Sequence, residues 1–229
     1  MNDDIHEVQA SILQELLFVN GTNFTSLNKL GLTNDHFTFH IKRLVDEGII
    51  NNTKGKYYLT QKGKSFASKL DVDNLVLEKQ GRPSVAITAR KVIRGKAHYL
   101  IQKRLKEPFF GYYGFINGKI RFGDTTEDTA KRELKEETGL AGKPEIMAVY
   151  HKIRGPRKSE IKLDNFFFVY LMRNPRGKLK NTREGKNFWL TPNEIRNLKT
   201  FPGFESALDV VVRGKFTPYW EEYIKLDSI

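Results

Sequence analysis

The sequence predicts an α+β protein in two parts, a small and mostly helical module followed by helices packed on a mixed sheet. Three observations lead there. Apolar residues recur at helical spacing between residues 10 and 48, the pattern changes to strand-like alternation after Gly81-Arg82-Pro83, and the net charge of +12 is unevenly spread. Residues 1–72 hold eight Lys and Arg against eight Asp and Glu, so the other 31 basic and 19 acidic residues carry the whole excess. An excess of this kind suits either a polyanionic partner or a heavily solvated surface.

The 229 residues suffice for one large or two ordinary domains, and 39% hydrophobic with 29% charged residues is the composition of a soluble globular chain. The longest apolar run, "FFFVYLM" from Phe166 to Met172, is too short for a bilayer and reads as a buried strand, so no membrane partner is expected. "MNDDIHE" is acidic where a secretory signal would be basic. No cysteine is present, which excludes disulfides and thiolate metal sites, and a cytoplasmic setting is expected.

In the first module, Ile12, Leu13, Leu16 and Leu17 make one apolar stripe, Phe24, Leu27 and Leu30 a second, and Phe37, Ile41, Leu44 and Val45 a third. Gly21 and Gly31 punctuate the gaps, and Thr33 is placed to cap the third helix. "IINNTKGKYYLTQKGKSF" then reads as a hairpin with Lys54-Gly55-Lys56 at its tip and Thr60 capping a closing helix. This order is that of a winged helix-turn-helix. Residues 10–70 resemble the winged-helix domains of bacterial transcription regulators, and the resemblance implies that duplex DNA is met by the third helix and the wing. The matching positions include Thr38, His40, Lys42 and Arg43 on the helix and Lys54 and Lys56 on the wing. Protein interaction or dimerisation is the competing use of such a module.

The expected boundaries are a winged-helix domain over 1–72, a linker over 73–83 and a second domain over 84–229. In the second domain "SVAITARKV" and "KAHYLIQKRL" alternate around Arg94-Gly95 as a hairpin, and strands are expected near "EIMAVYHKI" and "NFFFVYLM". "TPNEIRNLK" carries a capping box, Thr191 with Glu194, and "FESALDVVV" is read as a final helix.

Between these lies "RELKEETGL", Arg132 to Leu140, where Glu133, Glu136 and Glu137 stand at i, i+3 and i+4 and so share one arc of a helix. Either Lys131, Arg132 and Lys135 neutralise a solvated face, or a hard divalent cation is bound there. The longer stretch "GKIRFGDTTEDTAKRELKEETGL", Gly118 to Leu140, resembles the Nudix box GX5EX7REUXEEXGU, in which U is a bulky aliphatic residue. Gly118, Arg132, Glu133, Leu134, Glu136, Glu137, Gly139 and Leu140 match, whereas Asp124 stands where the family has glutamate. The resemblance covers about residues 82–229 and implies an α/β/α sandwich with a mixed sheet. It further implies a metal-dependent hydrolase that cleaves a pyrophosphate bond in a nucleoside diphosphate linked to another group, with Mg²⁺ or Mn²⁺.

The same resemblance makes Glu133, Glu136 and Glu137 the metal ligands, with Gly118 letting backbone approach and Arg132 orienting a glutamate. Glu133, Glu160 and Asp164 are all candidates for the general base. Tyr113, within "GYYGF", is a candidate to stack a nucleobase or a member of the core. Lys152, Arg154 and Arg157 are candidates to grip distal phosphates, or part of a solvated loop. Three functional readings stay open: an enzyme, a regulator that senses a nucleotide-derived ligand with little turnover, and recognition of RNA 5′ ends. A nucleotide-derived small molecule, duplex DNA and a second copy of the chain in a homodimer are the candidate partners.

Overall fold

The computed structural model describes residues 5–71 and 73–226. The chain divides between Lys79 and Gln80 into two compact units.

In the first unit, α1 (Glu7–Phe18), β1 (Thr22–Asn23), α2 (Phe24–Leu27) and α3 (Asn34–Asp46) precede the hairpin β2 (Ile50–Thr53) and β3 (Lys56–Leu59). The unit closes with α4 (Gln61–Ala67) and the short pair β4 (Leu70–Asp71) and β5 (Val76–Leu77). Ile12, Leu13 and Leu16 of α1, Leu27 of α2, and Phe37, Ile41 and Leu44 of α3 form one buried cluster. Leu30 and Val45, expected in the stripes, are exposed. α2 ends at Leu27, so Leu30 lies in a loop, and Val45 is one helical step past Leu44. The wing turns through Lys54 and Gly55, both at positive φ, which matches a two-residue turn to the strand twist. Thr60 caps α4 by accepting from Gly63 N at 3.0 Å, whereas Thr33 sits at the start of α3 without a side-chain capping bond.

The second unit contains β6 (Arg82–Ile93), β7 (Lys96–Arg104), β8 (Tyr113–Gly114), β9 (Ile116–Lys119), α5 (Thr126–Thr138), β10 (Pro144–Gly155) and β11 (Leu163–Arg173). Then come β12 (Gly185–Leu190), α6 (Pro192–Arg196), α7 (Phe204–Arg213) and β13 (Thr217–Lys225). The mixed sheet runs β12-β7-β6-β11-β10-β13, with β8 on β7 and β9 on β6. β6 and β11 are parallel, while β10 is antiparallel to β11 and parallel to β13.

Alternation along β6 supplies both sheet faces. Val85, Ile87 and Ala89 pack with Ala130 and Leu134 of α5, and Ala86 belongs to the opposite cluster with Tyr150, Val169, Phe204, Leu208 and Val211. The result is the expected α/β/α sandwich. The chain does not end on helices as its sequence suggested, because β13 follows α7. Pro218 and the charged Glu221 and Glu222 weaken its strand signature, which an edge strand tolerates. The capping box of α6 is present, with Thr191 N donating to Glu194 at 2.7 Å.

Candidate active site

Helix α5 is positioned by its apolar side. Ala130, Leu134 and Thr138 are fully buried against the sheet, and Gly139 ends the helix in the left-handed region at φ 75°, where its N–H reaches Lys135 O at 3.0 Å. Glu133, Glu136 and Glu137 are thereby turned towards a cavity of about 970 Å³. Gly118 of β9 also lines it, and a Cβ there would stand 2.1 Å from Glu133 Cγ. Only a glycine lets the strand pass this close to the carboxylate.

Arg132 binds the acids together. Its Nη1 donates to Glu133 Oε1 at 2.6 Å and lies 3.5 Å from Glu136 Oε2, while Nη2 reaches Asp124 Oδ2 and the Lys119 carbonyl at 3.4 Å each. Asp124 therefore touches Arg132, not the cavity. Glu137 receives a hydrogen bond from Gln102 Nε2 of β7 at 2.7 Å, and Gln102 is steadied by Asn187 Oδ1 of β12 at 3.3 Å. Asn187 Nδ2 donates in turn to the Glu137 carbonyl at 2.8 Å. Burial pushes the Glu137 carboxyl up and the charge of Glu133 adds to this, against the Gln102 hydrogen bond and the nearby Lys106 and Arg104.

The charged groups in the rest of the lining are mostly basic, with Glu107 and Glu184 as its acids. Arg82, Arg104, Lys106, Lys119, Arg121, Lys152, Arg154 and Arg183 all line the cavity. Lys152 and Arg154 are 6% and 7% exposed, and Arg154 donates to the neutral Asn165 Oδ1 at 2.7 Å. Burial and the neighbouring Arg154 bring the Lys152 ammonium down to about 7, with Glu222 opposing.

Several expected residues lie elsewhere. Tyr113 does not line the cavity but packs against the buried cluster beside α7, and Phe109, Phe115, Phe167 and Phe201 supply the aromatic surface instead. Arg157 is exposed and pairs with Glu160 at 2.5 Å, which keeps both out of the cavity wall. Asp164 Oδ1 accepts from His151 Nε2 at 2.9 Å and, like Glu160, is not among the residues that line the cavity. Gln102 and Asn187 escaped the sequence reading. Their signal was a polar side chain at an inward position of an otherwise apolar strand.

In the first unit Thr38, Lys42, Arg43, Lys54 and Lys56 are exposed. His40 is not a surface residue: it is 3% exposed, packs at 4.3 Å on the His6 ring and lies 3.3 Å from His36 Nε2. It shares the helix face of Phe37, Ile41 and Leu44, all of them buried.

Residues 82–209 match the NUDIX domain family. The chain belongs to that family. Residues 6–76 match a winged helix-turn-helix family, so the Nudix domain here follows a winged helix. An uncharacterized Nudix hydrolase of Bacillus subtilis, YvcI, is 28% identical over 113 residues, 48% of this chain and 71% of that protein. The ADP-ribose pyrophosphatase of Methanocaldococcus jannaschii is 32% identical over 106 residues, 45% of this chain and 59% of that protein. The NUDIX domain of Shewanella oneidensis NrtR, solved with ADP ribose, shares the fold with a TM-score of 0.53 at 14% identity, over 68% of this chain and 99% of that one. Among the described residues no helix is long and apolar enough to cross a membrane.

Proposed function

We propose that this Nudix protein hydrolyses the pyrophosphate bond of a nucleoside diphosphate linked to another group, dependent on Mg²⁺ or Mn²⁺. The observation that carries the reading is the opening of Glu133, Glu136 and Glu137 into the same cavity as eight basic side chains. A substrate with a charged diphosphate needs both, cations for its phosphates and acids for a metal.

The donor set fits a hard divalent ion, because it is all carboxylate oxygen and the glutamates crowd one helical arc. Among the described residues no three acids or imidazoles stand ready around one point, since Arg132 holds Glu133 and Gln102 holds Glu137. Glu133, Glu136 and Glu137 would hold the ion by exchanging those partners. When bound, such an ion neutralises phosphate oxygens and makes water a better nucleophile. The chain's own contribution is positional. Arg132 keeps Glu133 against Gly118, Gln102 and Asn187 fix the end of α5, and the basic wall binds phosphate. With Glu160 and Asp164 outside the cavity, Glu133 is our candidate base. The ADP-ribose pyrophosphatase relative favours ADP-ribose among first substrates to test. The test is a phosphate-release screen over nucleotide sugars, dinucleotides and nucleoside triphosphates with each metal; no metal-dependent release from any of them overturns the reading.

The winged helix supports a second role, duplex DNA binding by the full chain. Lys42 and Arg43 on α3 and Lys54 and Lys56 on the wing are exposed, as phosphate contacts must be. Charge reversal of Lys42 and Arg43 is expected to weaken DNA binding and to flatten its salt dependence by about one unit of log–log slope per lost contact. DNA binding indifferent to both substitutions and to salt moves the module to protein interaction.

A further inference from the structure

We propose that Lys152 and Arg154 form a second anion subsite, which takes a phosphate or carboxylate of the substrate other than the diphosphate that is cut. The inference rests on the hydrolase reading and narrows its substrate class to nucleoside diphosphate derivatives that carry an additional anionic group.

The sheet register separates the two sites. Gly118, packed on Glu133, lies on β9, and Lys152 lies on β10, with β6 and β11 between them. Three strand spacings amount to roughly 14 Å. A diphosphate, two phosphorus atoms joined through one oxygen, is far too short to meet both. Between them Ala86, Phe167 and Val169 of β6 and β11 line the cavity with an apolar stretch suited to a sugar or base ring, flanked by the polar Ser84 and Asn165.

The cations themselves lack an answering carboxylate. Arg154 bonds the neutral Asn165, and its Nε is buried without any partner among the described residues. Lys152 Nζ sits 5.2 Å from the centre of the Tyr150 ring and forms no ion pair among the described residues. The nearest acid, Glu222, already accepts from Tyr150 Oη at 2.7 Å and Ser206 Oγ at 3.1 Å. Two adjacent cations more than nine-tenths buried with no bound carboxylate are costly in a free protein and are relieved by an incoming anion. Burial and the neighbouring Arg154 depress the Lys152 ammonium, as expected for two buried cations side by side.

The test uses the full-length protein and two matched pairs of probes, ADP-ribose with its 2′-phosphate and UDP-glucose with UDP-glucuronate. Affinities are measured calorimetrically in EDTA, so that binding is read apart from turnover. At least one anionic member is expected to bind tenfold or more tightly than its partner, at about tenfold per lost charged contact. The pair that responds tells a nucleoside-side phosphate from a sugar-side carboxylate. Lys152→Met and Arg154→Met should each bring that ratio to within about threefold. Equal affinities within both pairs, or a preference that survives both substitutions, overturns the subsite. Hydrolysis of the same four probes with Mg²⁺ is scored separately. Turnover without an anion preference sinks only the subsite, and an anion preference without turnover sinks only the hydrolase. Should Arg154→Met misfold, thermal stabilisation by inorganic phosphate decides: it is expected in the natural protein and lost in Lys152→Met, and its persistence there counts against us.

Discussion

The two ends of the Nudix cavity solve opposite electrostatic problems in opposite ways. On α5 the Arg132 guanidinium answers Glu133 and Glu136 within the protein, while the more buried Glu137 has the neutral Gln102. On β10 Lys152 and Arg154 are buried more deeply and meet only neutral or already occupied groups. Satisfied acids can exchange partners for a metal at modest cost, whereas unanswered cations hold an unfavourable charge until an anion arrives. The contrast teaches that the acidic end carries most of its own counter-charge and the basic end does not.

The largest expected effect breaks the acidic end. Glu136→Gln and Glu137→Gln keep the shape of α5 but remove a charged ligand, and each should lower kcat/KM by at least about a hundredfold, beyond the 10–100-fold typical of outer-shell partners. Steady-state kinetics at fixed Mg²⁺, beside an unchanged melting temperature, make the check. Full turnover in both variants would show that this face does not hold the metal.

Gly118→Ala should come next. The added methyl falls 2.1 Å from Glu133 Cγ, and strand and helix are both anchored in the core, so Glu133 must move. A loss of about ten- to a hundredfold in kcat/KM is expected, with the preference between charged and uncharged probes unaltered. A changed preference would mean that the two ends are not independent.

How far the sequence revealed these ends follows from chemistry. The glutamate set is legible because a helix returns side chains to one face every three to four residues, and charge clustered at that interval is conspicuous. Lys152 and Arg154 were legible as a pair at strand spacing, but not as buried, since burial depends on α7 and β13 arriving from fifty or more residues away. Gln102 and Asn187 meet Glu137 only through the β7–β12 pairing, and no local pattern encodes that meeting. His40 failed for a simpler reason. Its polarity outweighed its position on the face of Phe37, Ile41 and Leu44, where the three-residue spacing from Phe37 already placed it inside.

The basic end is sharpened by pH. A free lysine titrates near 10.4, and Lys152 in the fold near 7, so between these values the unfolded chain binds more protons and stability from this group rises with pH. Below about 7 both states are charged, and the penalty is flat and at its full size. The groups facing it are Tyr150 and Arg154 on its own strand and Glu222 on β13. Lys152→Met should therefore stabilise the protein at pH 7 by about 1–3 kcal/mol and reduce the rise in stability between pH 7 and 9. Urea unfolding of both proteins at the two pH values supplies the comparison. Identical slopes would mean that Lys152 is not a desolvated cation, and the contrast between the two ends would collapse.

The smallest effect is reserved for Asp124, where the chain departs from the family's glutamate. Its carboxylate lies 3.4 Å from Arg132 Nη2, a long contact, and Arg132 is already held by Glu133 at 2.6 Å and by the Lys119 carbonyl. Asp124 thus acts on the acids only through Arg132. In Asp124→Glu the added methylene brings the carboxylate closer to the guanidinium, which tightens one of its several restraints without adding a group to the cavity. Kinetic constants should change by no more than about tenfold, or 1.4 kcal/mol, in either direction. Asp124→Asn, which keeps the length and removes the charge, should stay within the same range. A gain much larger than tenfold in Asp124→Glu would mean that the weak contact to Arg132 governs how readily the glutamates release their internal partners. The natural protein would then be held back from turnover by a single methylene, and its Nudix domain would be better read as a sensor beside the winged helix than as an enzyme.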